Sequence, residues 1–314
     1  MIVLAACGEL VAIDASTPAA DGGPVRETDA NGPPVDVDAA PPDAAPFSGA
    51  CDLSKDFAGI TKLVTGTGDA NTIGSGSRGL DDLTLVFNSN QNDTGATQFF
   101  RTFIAKRSST AGTFANLAVQ PLVSDNDCAN DPFVASDRTF FWSSHNDDGD
   151  PLRIFHGVID DGYRIAAPRE LALGGGNDDF VQARLVGSTL YFARGTVKNG
   201  FAIWRTTLGP NDAITGTKRF DELANLDKFV WKAIVSPDER TLFFAVGTEP
   251  DRTSIMIARR STAGATWETP SFVAELNAGG TGRAPTWLSP DGCQIWFESN
   301  RDGIQQLYVA TRPK

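Results

Sequence analysis

SPDGCQIWFESNRDGIQQLYVATR, residues 289–312, reads as turn, strand, turn, strand. Pro290 presets φ for a tight turn, Asp291 supplies a side chain that bonds locally, and Gly292 closes the turn. Residues 293–299 then alternate, with Ile295 and Phe297 on one face and Trp296 on the other. A second turn at Asn300, Arg301, Asp302 and Gly303 leads into residues 306–312, which again divide their apolar side chains between two faces. One such hairpin buries too little surface to fold alone, so copies of it must stack.

Copies are present. Aligning on Phe297 gives Phe87, Trp142, Phe192, Phe244 and Phe297, at intervals of 55, 50, 52 and 53 residues. A short segment that reads as an inner strand precedes each hairpin: residues 131–136, 182–187, 230–236 and 284–289, with a glycine-rich 71–76 in the first copy. A weaker outer strand follows, starting from an aromatic residue at Phe114, Tyr163, Phe220 and Trp267. Four strands per unit at a period near 50 is the signature of a β-propeller blade. The expected fold is all-β: a five-bladed β-propeller of four-stranded blades. The chain stops after the third strand of its last copy, so FAGITKLV, residues 57–64, is predicted to complete that blade and close the ring.

Composition agrees. The 314 residues include 31 glycines and 18 prolines that punctuate short strands, and no long helical periodicity interrupts them. The formal charge of −12 is unevenly spread. Residues 8–50 hold eight acids and one arginine, net −7, which leaves −5 for everything else. No basic stripe is available for a nucleic-acid backbone, so DNA and RNA are not expected as partners.

The amino terminus divides into residues 1–7, a truncated lipoprotein signal, residues 8–50, a tether, and residues 51–314, the propeller. Leu4, Ala5, Ala6 and Cys7 resemble the lipobox of bacterial lipoproteins, and that resemblance implies cleavage before Cys7 and a diacylglyceryl thioether on its sulfur. A basic n-region and most of an apolar h-region are missing, so the natural chain is expected to start upstream of Met1. The tether carries ten alanines, seven prolines and eight acids, too little apolar surface to offset its ordering entropy. A lipid anchor, a spacer and a domain place the protein at the bacterial cell envelope, periplasmic or outer-surface, touching the membrane only through the anchor.

The last two copies, SPDGCQIWFESNRDGIQQLYVATR and IVSPDERTLFFAVG at 234–247, resemble the WD40-like Pro-Asp repeat of TolB-type β-propellers. The resemblance covers residues 57–314 and implies the same fold and compartment. TolB-type propellers have six shorter blades and a separate N-terminal α/β domain, for which this chain has no room.

Cys51, Cys128 and Cys293 remain once Cys7 is set aside. In an oxidising compartment an exposed cysteine usually has a partner. Cys51 leads into the closing strand and Cys293 begins the second strand of the same blade, so a Cys51–Cys293 disulfide is the expected staple. Cys51–Cys128 and three free thiols are the alternatives.

Chemical motifs are sparse. Gly74, Gly76 and Gly79 spell GxGxxG, but a strand-like LTLVF follows where a dinucleotide site needs a helix. NDDGD at 146–150 could gather calcium, yet sits where a hairpin turn recurs and fails the EF-hand spacing. His145 and His156, the only histidines, flank that hairpin without nearby cysteines, so neither zinc nor a serine triad is expected. No metal and no cofactor is predicted.

Five-bladed propellers include glycoside hydrolases, which set carboxylates from inner strands around a central funnel. Here the inner strands supply Asp131 beside Gln182, Arg184, Lys232 and Arg283. Asp69, Asp179 and Asp227 fall on loops, and the last blade offers no carboxylate. The expectation is therefore a monomeric, non-catalytic binding or scaffolding module. Its tentative binding residues are Asp131, Arg184, Lys232 and Arg283, and its ligand is a protein or glycan of the envelope. Each of the four also fits a structural ion pair. A carbohydrate-active enzyme of five-bladed type is the alternative.

Overall fold

The computed structural model describes residues 51–64, 72–90, 101–110, 112–118, 130–144 and 150–314. The lipobox Cys7, the tether, Cys128, His145, Asp69 and residues 146–149 of the candidate calcium run lie outside them.

The described chain is built from antiparallel units of four strands. After β1 (Ala58–Lys62), unit one comprises β2 (Ile73–Arg78), β3 (Thr84–Ser89), β4 (Arg101–Lys106) and β5 (Ala115–Ala118). Unit two comprises β6 (Asn130–Val134), β7 (Thr139–Ser144), β8 (Arg153–Ile159) and β9 (Ile165–Glu170). Unit three follows as β10 (Asp179–Val186), β11 (Thr189–Thr196), β12 (Gly200–Leu208) and β13 (Ile214–Arg219). Unit four holds β14 (Phe229–Val235), β15 (Thr241–Glu249), β16 (Arg252–Arg259) and the short β17 (Ser271–Phe272). A single parallel pair, Phe201 opposite Phe229, joins units three and four into one eight-stranded sheet. The last sheet runs β1, β20 (Gln306–Thr311), β19 (Gln294–Ser299), β18 (Ala284–Leu288).

The two ends of the chain therefore share a sheet, with Ala58 opposite Thr311 and Lys62 opposite Tyr308. Beyond β1 the chain passes from the last sheet to unit one: Leu63 donates to the Leu307 carbonyl at 2.8 Å but accepts from the Phe114 N–H at 2.9 Å, and Val64 bridges Phe114. Cys51 and Cys293 are joined by a disulfide, with Cα atoms 5.6 Å apart.

Turn chemistry explains why the hairpins start where they do. Ser289 donates its hydroxyl to Asp291 at 2.5 Å, the Cys293 N–H reaches the same carboxylate at 3.0 Å, and Gly292 donates to the Ser289 carbonyl at 2.8 Å. Gly292 sits at φ +70°, where a residue without Cβ is unstrained. Ser236, Asp238 and Glu239 repeat this arrangement before β15, with Glu239 carrying the positive φ.

Each periodic aromatic residue packs onto the preceding unit. Trp142 meets Val86 and Ile104, Phe192 meets Phe141 and Ile154, and Phe244 meets Tyr191 and Ile203. Phe297 and Ile295 pack with Phe243 and Ile255 of unit four. Phe87 shares a cluster with Trp296 and Leu307 of the last sheet, so the core continues from the last unit to the first. Both faces of the second strands, such as β3, β7 and β19, are buried, which is why these strands divide their apolar side chains between two faces, while the outer strands β9 and β13 are mostly exposed.

The outer strands differ from expectation. In unit three the strand is β13, and Phe220 comes just after it, ahead of a single 3-10 turn at Asp221–Leu223. In unit four only Ser271 and Phe272 pair with β16, ahead of a one-turn helix, α1 (Ala274–Asn277). The aromatic residues expected to open these strands are packing anchors: Phe220 and Trp267 meet edge to face at 6.1 Å between units three and four. Asp179, expected on a loop, opens β10.

Candidate functional site

The innermost strands β2, β6, β10, β14 and β18 contact one another in cyclic order, β18 returning to β2. Each carries a break in register with its neighbouring second strand: at residues 73–76, 130–133, 181–184, 231–234 and 285–287. Such β-bulges re-aim side chains. In three of them a polar residue takes a left-handed conformation: Asp131 at φ 54°, Gln182 at φ 64° and Lys232 at φ 52°. Non-glycine residues hold such angles only when their surroundings over-determine them. Here what constrains them is a shared buried polar network.

Ser75 on β2 donates its hydroxyl to Asp131 on β6. Lys232 on β14 donates from Nζ to that same hydroxyl at 3.2 Å and makes an ion pair with Glu298 on β19. Gln305 donates to the other Glu298 oxygen. The backbone N–H of Lys232 donates to Gln182 Oε1 at 2.6 Å, and the Gln182 N–H donates to Ser143 Oγ at 3.2 Å. Arg184 on β10 donates to the carbonyls of Ala183 (2.8 Å) and Thr286 (3.4 Å), its guanidinium 5.0 Å from the centre of the Phe133 ring.

The network is shielded from water: Ser75, Asp131, Gln182, Arg184 and Glu298 are all buried. Burial pushes the Lys232 ammonium down to about 8, against an upward pull from Asp131, while the cation of Arg184 adds to the fall. The Glu298 carboxylate in contact with Nζ also opposes the fall. Burial likewise lowers Arg184 to about 10, again opposed by Asp131. Formally two cations meet two carboxylates, so the centre is charge-balanced.

The structure thus brings Asp131, Arg184 and Lys232 together. Arg283 is elsewhere: it precedes β18 and bonds the Gly279 carbonyl from Nε at 2.9 Å, its backbone N–H donates to the Thr253 carbonyl, and its own carbonyl accepts from the Thr253 hydroxyl. Burial lowers its guanidinium pKa, and neighbouring Arg301 lowers it further. The expectation that the last unit offers no carboxylate is corrected by Glu298, which reaches inward from a second strand. Its sequence signal was the residue after each periodic aromatic: Asn88, Ser143, Ala193, Ala245 and Glu298 are all small or polar. Among the described residues no cluster of three His, Cys, Asp or Glu side chains could hold a metal ion.

Glycoside hydrolysis needs one carboxyl that keeps its proton and one that is ionised. Asp131 and Glu298 are instead engaged by the network itself, Asp131 accepting from Ser75 and Glu298 paired with Lys232. The arrangement is suited to rigidity and to fixed polar display.

No protein-family model matches the chain, and no curated protein matches it in sequence. In three dimensions it is similar to the catalytic domain of a Coprinopsis cinerea GH62 alpha-L-arabinofuranosidase (TM-score 0.52, 13% identity, 82% of this chain and 96% of that one). It is also similar to a thermostable family-43 glycoside hydrolase (TM-score 0.52, 11% identity, 78% and 89%). TolB from Acinetobacter baumannii aligns at a TM-score of 0.46 with 13% identity over 77% of this chain, which spans 55% of the TolB chain. At these identities the likeness concerns the fold alone. The likeness to the two glycosidases, together with the four-stranded sheets, makes the fold a β-propeller.

Proposed function

We propose that the five units form a five-bladed propeller, closed by β1 and stapled by the Cys51–Cys293 disulfide, that serves as a monomeric, non-catalytic binding module. It is carried at the bacterial envelope on a lipidated Cys7 and the 8–50 tether, and its ligand is a protein or glycan of that envelope. The observation that carries the binding role is the central network, in which Asp131 and Glu298 are matched to Lys232 and Arg184. A centre so cross-linked by hydrogen bonds and an ion pair holds its surrounding strands rigidly. The anchor rests on the lipobox and the tether composition.

Affinity capture from intact envelopes with the full chain tests the role, and a reproducible protein or glycan partner is expected. Hydrolysis of an oligosaccharide, lost in Asp131→Asn, would instead establish the carbohydrate-active reading, for which the two glycosidase likenesses are the support. For the anchor, the full-length product is expected to partition into detergent and Cys7→Ala to release it; unchanged partitioning of that variant removes the anchor.

A further inference from the structure

A cavity of about 420 Å³ lies between units two and three, apart from the central network. Its walls come from the β6–β7 turn, from β8 and β9, from the β10–β11 turn and from the segment after β12. Polar groups converge on it from all sides. His156 on β8 forms part of the wall; it is only 7% exposed, and its Nε2 is 3.2 Å from Asp212 Oδ1 without the alignment of a hydrogen bond. The second oxygen of Asp212 is 3.3 Å from Arg169 Nη1 on β9. Asp137, in the β6–β7 turn, holds the Thr139 N–H with one oxygen at 2.9 Å. Leu185 and Leu208 add an aliphatic wall.

The backbone is bent to make this arrangement. Asn211 and Asp212 are consecutive left-handed residues, at φ 55° and 61°, and Ala167, two residues before Arg169, is at φ 48°. Conformations of this kind cost on the order of 1–3 kcal/mol each and cluster where function holds them. Gly157 lets β9 come close: a Cβ there would sit 2.5 Å from Ile165 Cγ2 and 2.9 Å from the Ala166 carbonyl.

The chemistry of the walls narrows the ligand. Two carboxylates outweigh one guanidinium, so an anion is disfavoured, while a compact cation would meet Arg169 beside Asp212. Asp137, Asp212 and Arg169 present acceptors and donors side by side, and hydroxyls act as both. The volume falls in the ~300–1,000 Å³ range of small-ligand sites. We propose that this cavity binds a short neutral saccharide of one or two rings. Its hydroxyls bridge Asp137, Asp212 and Arg169, and its less polar face lies on Leu185 and Leu208. The site goes beyond the envelope-binding role and does not use the central network.

The test is saturation-transfer NMR and calorimetry on the full chain with maltose, cellobiose, xylobiose, lactose and chitobiose, and with citrate and spermidine as charged comparators. At least one disaccharide is expected to bind with a Kd of about 1 mM or tighter, and Arg169→Ala or Asp212→Asn to weaken it roughly tenfold. Arg169 has a 64% exposed side chain, so its variant folds; circular dichroism verifies this. No disaccharide response at about 20 mM, a response that neither variant weakens, or tighter binding of citrate or spermidine overturns the proposal. A partner captured from envelopes together with a silent saccharide panel leaves the binding-module role standing and removes only this site.

Discussion

Cys51 and Cys293 are bonded across 242 residues of sequence, tying the segment before β1 to the residue just before β19. The disulfide and the β1–β20 ladder thus fasten the same sheet from two sides. In the chain-entropy picture a crosslink of this span contributes on the order of 5 kcal/mol. Reducing agent is expected to lower the melting temperature of the wild-type protein and to leave that of a Cys51→Ser/Cys293→Ser variant unchanged. Removing residues 51–64 is expected to destabilise far more than removing 8–50, because only the first truncation strips a strand from the last sheet. Calorimetric melting of the two truncations decides this, and equal temperatures contradict the closure.

Phe297 is fully buried, 5.8 Å from the Tyr308 ring and inside the cluster that joins the last unit to unit four. Phe297→Ala is expected to cost about 3 to 5 kcal/mol in urea unfolding, since it removes the burial and leaves a cavity. A loss below about 1 kcal/mol would mean the side chain does not hold the two units together.

Lys232 and Glu298 form a buried ion pair. Truncating one partner strands the other charge, so Lys232→Met is expected to cost about 3 to 5 kcal/mol. Adding Glu298→Gln should restore most of that loss, as both charges then leave the centre together. Urea unfolding of the double-mutant cycle reads the coupling, and strictly additive losses refute the pair.

Burial pushes the His156 imidazole below its ordinary 6.5, against the upward pull of Asp212. The unfolded chain therefore takes up a proton before the native one does. Stability is expected to fall as pH drops through 6.5 towards the native value, and His156→Gln to flatten that part of the curve. Asp212→Asn removes the strongest opposing pull and should move the midpoint lower still. NMR titration is unambiguous because His145 is the only other histidine; a midpoint above 6.5 contradicts the burial.

Much of this could be read in the chain. Phe87, Trp142, Phe192, Phe244 and Phe297 mark the second strands because each packs on the unit before it, and a contact repeated in space leaves a repeat in sequence. The outer strands were harder, because Phe220 and Trp267 pack across units from positions that only border a strand. Arg283 misled because it lies just before β18, ahead of the bulge at 285–287 that matches the bulges holding Gln182 and Lys232.

By itself the sequence determined the strand-rich unit and its turns, since alternation and turn hydrogen bonds are settled within some twenty residues. It named Cys51–Cys293 among three possibilities. Only the tertiary structure decided that Glu298 reaches Lys232, that Arg283 stays out, and that Asp137, His156, Arg169 and Asp212 converge on one cavity. Those meetings depend on bulges that turn Asp131, Gln182 and Lys232 to positive φ and on how neighbouring units pack, and neither is encoded in a local pattern.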